Sequence, residues 1–107
     1  MEDVLVVFCT FPDRDAATRI AQALVKSRLT ACVNLLPGVE SIYQWKGEME
    51  SSNEVLGLIK TTVAMYPTLE ARLKELHPYD VPEIVAVPAS RVHPAYAQWV
   101  REMTVPE

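Results

Sequence analysis

The sequence predicts an α+β sandwich: four antiparallel strands, two helices packed on one face, and a further helix at the C-terminus. Three observations predict it. Apolar, β-branched runs of strand length recur along the chain, helical stripes at i, i+3, i+4 and i+7 alternate with them, and proline or glycine marks nearly every junction. The 107 residues, half of them hydrophobic, suffice for one domain spanning 1–107 with its own core and are too few for two.

Val4 to Cys9 is a continuous apolar run ending in Thr10, the pattern of a strand buried on both faces. Phe11-Pro12-Asp13 breaks it, and Asp13 with Asp15 supplies an N-cap and first-turn negative charge for a helix running to about Ser27. Its buried stripe is Ala17, Ile20, Ala21 and Leu24. Leu29 to Leu36 is strand-like again, and Pro37-Gly38 leads into Val39 to Trp45. Pro-Gly suits a type II turn, whereas tight hairpins favour the primed turns that match strand twist, so Pro37-Gly38 reads as a bend or bulge within one long strand.

On that reading Lys46-Gly47-Glu48 is the hairpin turn and the return strand runs from about Met49 to Thr61. Arms of this length, at roughly 3.3 Å per residue, exceed several-fold the ~13 Å radius of gyration of such a domain, so the hairpin projects from its core. Ile42, Tyr43 and Trp45 on an exposed arm invite pairing unless another chain covers them, which predicts an obligate oligomer. Thr62 to Leu76 reads as the second helix, with Tyr66, Leu69, Leu73 and Leu76 on one face and Pro67 obscuring its start. Val81 to Val87 is the last strand. Pro94 opens a terminal helix whose stripe is Tyr96, Trp99, Val100 and Met103. The order βαββαβ plus a helix is that of a ferredoxin-like domain with a long hairpin, a fold that hosts many functions.

A formal charge of −4 with no Lys/Arg run opposes phosphate backbones and anionic membranes, so neither nucleic acid nor membrane is expected as a partner. The two cysteines, Cys9 and Cys32, sit in apolar runs and read as reduced thiols of a cytoplasmic protein. Glu2 and Asp3 before a short apolar run are unlike a secretory signal, and no stretch approaches a membrane span.

The polar chemistry concentrates in Leu76-His77-Pro78-Tyr79-Asp80-Val81-Pro82-Glu83-Ile84, a helix-to-strand joint stiffened by two prolines. His77 reads either as a helix-end group satisfying orphan carbonyls or as a ligand. Cys9 reads either as a small core hydrophobe or as the soft partner that, with an imidazole, suits copper. Asp80 and Glu83 read as ion pairs with Lys60 or Arg28, or as cleft contacts, and Tyr43, Trp45, Tyr79 and Trp99 as interface packing. Glu48, Glu50 and Glu54 read as a solvated acidic patch near the hairpin tip, a weak holder of a hard cation.

Taken together, Ala31-Cys32-Val33-Asn34, Pro37-Gly38, Ser41-Ile42-Tyr43 with Trp45 and Gly47, Ile59-Lys60-Thr61, Leu76-His77-Pro78-Tyr79 with Val81-Pro82-Glu83-Ile84, and Tyr96 with Trp99 resemble the CutA divalent-cation-tolerance family over nearly the whole chain. The resemblance implies a homotrimer of ferredoxin-like subunits, similar to the PII signalling proteins, and a link to tolerance of divalent metals, copper above all. In the family's copper-ligating pattern a cysteine closes the first strand and two histidines precede Pro-Tyr. Here these positions hold Cys9, Leu76 and His77, so the implied ligands are Cys9 and His77 for copper or another divalent cation, with no organic cofactor.

Tyr79, Glu83, Lys60 and Trp45 are the candidate contacts of an intersubunit cleft, where the alternative function, a PII-like regulatory or scaffold trimer, would bind a small molecule or partner. Catalysis is not expected. Thr10-Phe11-Pro12-Asp13-Arg14 lacks the glycine-rich amide cradle of a phosphate-handling hydrolase, and no third residue orients Cys9 with His77 as a nucleophile pair. The sheet also lacks the basic aromatic motif of an RNA-recognition fold.

Overall fold

The computed structural model describes residues 3–105, so Glu2 of the acidic N-terminal pair lies outside them. Its elements are β1 (Val4–Phe11), α1 (Arg14–Lys26), β2 (Cys32–Trp45), β3 (Glu48–Thr62), α2 (Tyr66–Leu76), β4 (Ile84–Pro88) and α3 (Pro94–Met103). The strands form one antiparallel sheet in the order β2-β3-β1-β4, the ferredoxin-like arrangement. None of the described helices is long and apolar enough to cross a membrane.

Strand alternation divides the sheet into two unlike faces. Leu5, Val7, Cys9 and Phe11 of β1 join Val55 and Ile59 of β3 beneath Ala17, Ile20 and Leu24 of α1 and Leu69 and Leu73 of α2. Gly57, opposite Cys9, makes this packing possible: a Cβ there would meet Phe11 Cε2 at 2.9 Å. On the other face α3 covers only the end of the sheet, where Ala97 and Val100 pack on Val4 and Ala31. Val6, Phe8, Leu56, Leu58, Val85 and Val87 share the remainder by register, and among the described residues no helix packs a core cluster against them. Val85 and Val87 are about half exposed.

The first helix follows its sequence signals closely. Asp13 caps it, Oδ1 accepting the Ala16 N–H at 2.8 Å, Ser27 ends it, and the four-residue stripe is buried. The long second strand also holds. Between Leu36 and Val39 it carries a bulge, with Gly38 at φ +78°, and continues in register to Trp45. The turn is tighter than expected, because Trp45 pairs directly with Glu48. Lys46 and Gly47 alone make the reversal at φ +52° and +82°, the left-handed pair of a type I′ turn, so Glu48 belongs to β3. The arm stretches a molecule measuring 44 × 26 × 22 Å.

Three boundaries and one buried helix face differ from the sequence reading. Leu29 to Ala31 precede β2 and are not part of it, since Arg28 turns the chain at φ +62° and the Ala31 N–H already bonds Lys60 O. Thr62 is held in β3 opposite Val4, so α2 begins only at Tyr66, with Pro67 in its first turn. Val81 to Glu83 stay outside β4, which starts at Ile84 once the two joint prolines are passed; Val81 is 83% exposed. In α3 the buried residues are Ala97 and Val100. The helix lies with its small edge on the sheet, leaving Tyr96, Trp99 and Met103 each 38% exposed in the single chain.

Candidate functional site

The joint leaves α2 at His77, whose backbone is already extended and whose N–H bonds Leu73 O as the last helical hydrogen bond. The ring then turns inward and is 7% exposed. Its Nε2 lies 2.8 Å from Thr10 O and its Nδ1 accepts the Tyr79 N–H at 3.1 Å. A carbonyl can only accept and an amide only donate, so the imidazole is neutral with its proton on Nε2. Stacking fixes it further, on Phe11 at 5.3 Å between centroids and against Tyr79 at 4.8 Å. Of the two readings open from sequence, a helix-end group or a ligand, the first is met differently: the ring reaches not the carbonyls of its own helix but the end of β1, fastening the joint to the sheet.

Cys9 is fully buried in the helix-covered face, and its thiol makes a weak 3.8 Å contact with the same Thr10 carbonyl. Burial, then the charges of Glu83 and Glu54, push this thiol up to about 12. The two implied ligands therefore meet at one carbonyl oxygen. Neither is ready to ligate there: His77 gives one nitrogen to each backbone partner, and Cys9 keeps its proton and so is not the thiolate that binds metals. Among the described residues no group of three or more His, Cys, Asp or Glu is placed to hold a metal ion.

Beyond His77 the chain turns outward. The Tyr79 hydroxyl donates to Glu54 Oε2 at 2.7 Å, and burial, followed by that bond and the Glu54 charge, holds the phenol well above its ordinary range. Tyr79 thereby closes one side of a cavity of about 550 Å³ between the joint and the hairpin arm. Tyr43 and Trp45 of β2 line it from the arm, Glu50 and Glu54 from β3, and Asp80 and Glu83 from the joint. No lysine, arginine or histidine lines it.

Of the cleft residues read from sequence, Trp45, Tyr79 and Glu83 thus gather around one cavity. Lys60 does not line it; its ammonium bonds Asn34 Oδ1 across the β2–β3 pair, and among the described residues of the single chain it makes no ion pair with Asp80 or Glu83. The Arg28 guanidinium donates to the Glu102 carbonyl at 2.9 Å. Glu54 departs most from its reading as a solvated acid, being 8% exposed beneath Tyr79. The one available signal was parity: it shares a face with Leu56 and Leu58.

Residues 5–103 match the family model of the CutA1 divalent ion tolerance protein. The divalent-cation tolerance protein CutA of Thermus thermophilus is 49% identical over 97% of this chain and 99% of its own length. The human protein CutA is 45% identical over 94% of this chain, which spans 56% of that longer relative. The structure superposes on that of the Thermus thermophilus protein with a TM-score of 0.92 over 95% of this chain and 99% of that one. For CutA from Xylella fastidiosa, 41% identical, the TM-score is 0.94 over 96% and 99%. The fold, the spaced motifs and these relatives agree: the chain belongs to the CutA divalent-cation-tolerance family.

Proposed function

We propose that this chain works as a homotrimeric, non-catalytic divalent-cation-tolerance protein of the cytoplasm, a PII-like scaffold whose working element is the cavity between hairpin arm and joint. The observation that carries this reading is the convergence of Trp45 from the hairpin arm and Tyr79 and Glu83 from the joint, two separated stretches of chain, on one cavity walled by carboxylates. Trimer formation is supported by the apolar sheet face around Phe8, Leu58, Val85 and Val87, which the chain's own helices leave open. Other copies covering that face would also bury the exposed side of α3. Light scattering tests the assembly: the expected mass is three times the 12.0 kDa of the chain, and a monomer at tens of micromolar overturns it.

A second reading, copper binding through Cys9 and His77, is supported by their meeting at the Thr10 carbonyl. It requires the joint to release the imidazole and the thiol to lose its proton, after which the pair has the soft-plus-imidazole character that copper favours. Calorimetry on reduced, tag-free protein is expected to show saturable copper binding that His77→Ala weakens. Absence of binding at micromolar copper sinks this reading and leaves the cavity reading standing.

A further inference from the structure

We infer that α3 is a clasp that opens as a unit apart from the rest of the fold, and that the ion pair between Asp3 and Arg101 sets how readily it opens. The contacts involved lie within one chain and remain whatever other copies cover. They are also independent of what the cavity between arm and joint holds.

The main core joins the sheet to α1 and α2, and among the described residues no side chain of α3 belongs to it. The helix sits instead on a second cluster, in which Ala97 and Val100 meet Val4 and Ala31 with Ala89 and Val92 beside them. All of these are alanines and valines. Small side chains remove little apolar area from water, so this cluster holds a helix of 10 residues with few dispersion contacts and a weak hydrophobic drive. An element held in this way opens locally at a free energy well below that of global unfolding.

Polar contacts across the chain supply the hold that packing lacks. Asp3 lies just ahead of β1, where its carbonyl accepts the Val63 N–H at 2.8 Å, so the end of the sheet fixes its position. Arg101, 98 residues further on, grips the Asp3 carboxylate with two bonds, Nε to Oδ2 at 2.7 Å and Nη2 to Oδ1 at 3.1 Å. This two-pronged arrangement is the strong form of an arginine–carboxylate pair. Beside it the Arg28 guanidinium, in the bend after α1, donates to the Glu102 carbonyl at 2.9 Å. Both contacts fasten the last turn of α3 to the body of the fold.

Asp3 and Arg101 are both partly exposed, so dissolved ions screen their attraction and the hold weakens as ionic strength rises. The main core, built from apolar contacts, has no such dependence. Salt therefore acts on the clasp before it acts on the fold. Tyr96 and Trp99, whose rings lie 5.6 Å apart, travel with the helix, so an open clasp also loosens any subunit contact that this edge makes.

Amide hydrogen exchange of the whole protein, in whatever assembly it forms and resolved by peptide with mass spectrometry, tests this. The α3 amides are expected to exchange about tenfold or more faster than those of β1 and β3. Asp3→Asn and Arg101→Gln, which break the pair from either side, are each expected to speed α3 alone by about two- to fivefold, the range an exposed ion pair supports. Added salt should speed α3 in the wild type and have less effect in either variant. Arg72→Gln, which removes the ion pair with Glu75 on α2, is expected to leave α3 unchanged. Exchange of α3 as slow as that of β1 overturns the inference. So does either clamp variant that leaves α3 at the wild-type rate, or that speeds the sheet as much as α3, since the opening is then global.

Discussion

Replacing His77 with alanine measures whether this residue is a strut or a ligand in waiting. The substitution removes the donor to Thr10 O at 2.8 Å and the acceptor for the Tyr79 N–H at 3.1 Å, and it empties the ring's place between Phe11 and Tyr79. Each lost hydrogen bond is worth on the order of 1 kcal/mol, and a buried partner left unsatisfied raises that toward the desolvation penalty of about 1–3 kcal/mol. Lost aromatic contact adds roughly 0.5–1.5 kcal/mol. With the site 7% exposed, little water can replace the ring. The expected destabilisation is therefore roughly 3–4 kcal/mol, near the upper end for single substitutions. Urea unfolding followed by circular dichroism reads it, at one fixed protein concentration because subunit association would shift the midpoint. His77→Gln, able to keep a donor for Thr10, should recover part of the loss. A loss for His77→Ala below about 1 kcal/mol, the level of an ordinary substitution, would refute the reasoning.

Gly57→Ala should destabilise by about 1–3 kcal/mol through overpacking, since the fully buried Phe11 ring has no room to retreat; a thermal melt reads it, and Phe11→Leu in the same chain should relieve much of the cost. Asp13→Ala should lose about 1 kcal/mol from the N-cap of α1, measured by urea unfolding. For Cys9, the unfolded thiol ionises near 9.0 and the folded one near 12, so its stabilising contribution is complete below pH 9 and is lost as pH rises from there toward 12. Melting temperature should accordingly fall more steeply with pH over that window in the wild type than in Cys9→Val, and equal slopes would contradict the burial argument. A thiol reagent should label the partly exposed Cys32 well before Cys9.

Local signals carried most of the fold into the sequence. Asp13, the α1 stripe, the bulge at Gly38 and the turn at Gly47 each specify their geometry through neighbouring residues, and each is found where they point. What could not be read depends on partners far along the chain. His77 bonds a carbonyl 67 residues earlier and Tyr79 a carboxylate 25 residues earlier. In Glu50-Ser51-Ser52-Asn53-Glu54 composition alone indicates solvated surface, and nothing local says that a tyrosine will close over the last of these acids. The α3 stripe is buried in the single chain only at Val100, for a related reason. Periodicity identifies a helix but does not choose between the Tyr96–Trp99 edge and the Ala97–Val100 edge, and the small residues Val4 and Ala31 beneath it admit the latter.

These contacts also set what the copper reading costs in free energy. If His77 is worth roughly 3 kcal/mol as a strut, recruiting its imidazole to a metal forfeits most of that, and at about 1.4 kcal/mol per factor of ten the apparent affinity falls roughly a hundredfold. Deprotonating a thiol that the fold holds near 12 adds a second penalty at neutral pH. Copper's intrinsic preference for thiolate and imidazole has to exceed both. The cavity bounded by Tyr79 carries neither handicap: Tyr79 is fixed at its N–H by His77 and at its hydroxyl by Glu54, and an occupant need not dismantle the joint. The polar residues of the joint thus divide their roles. The buried histidine holds Tyr79 in place, and Tyr79, Asp80 and Glu83 line the cavity beyond it.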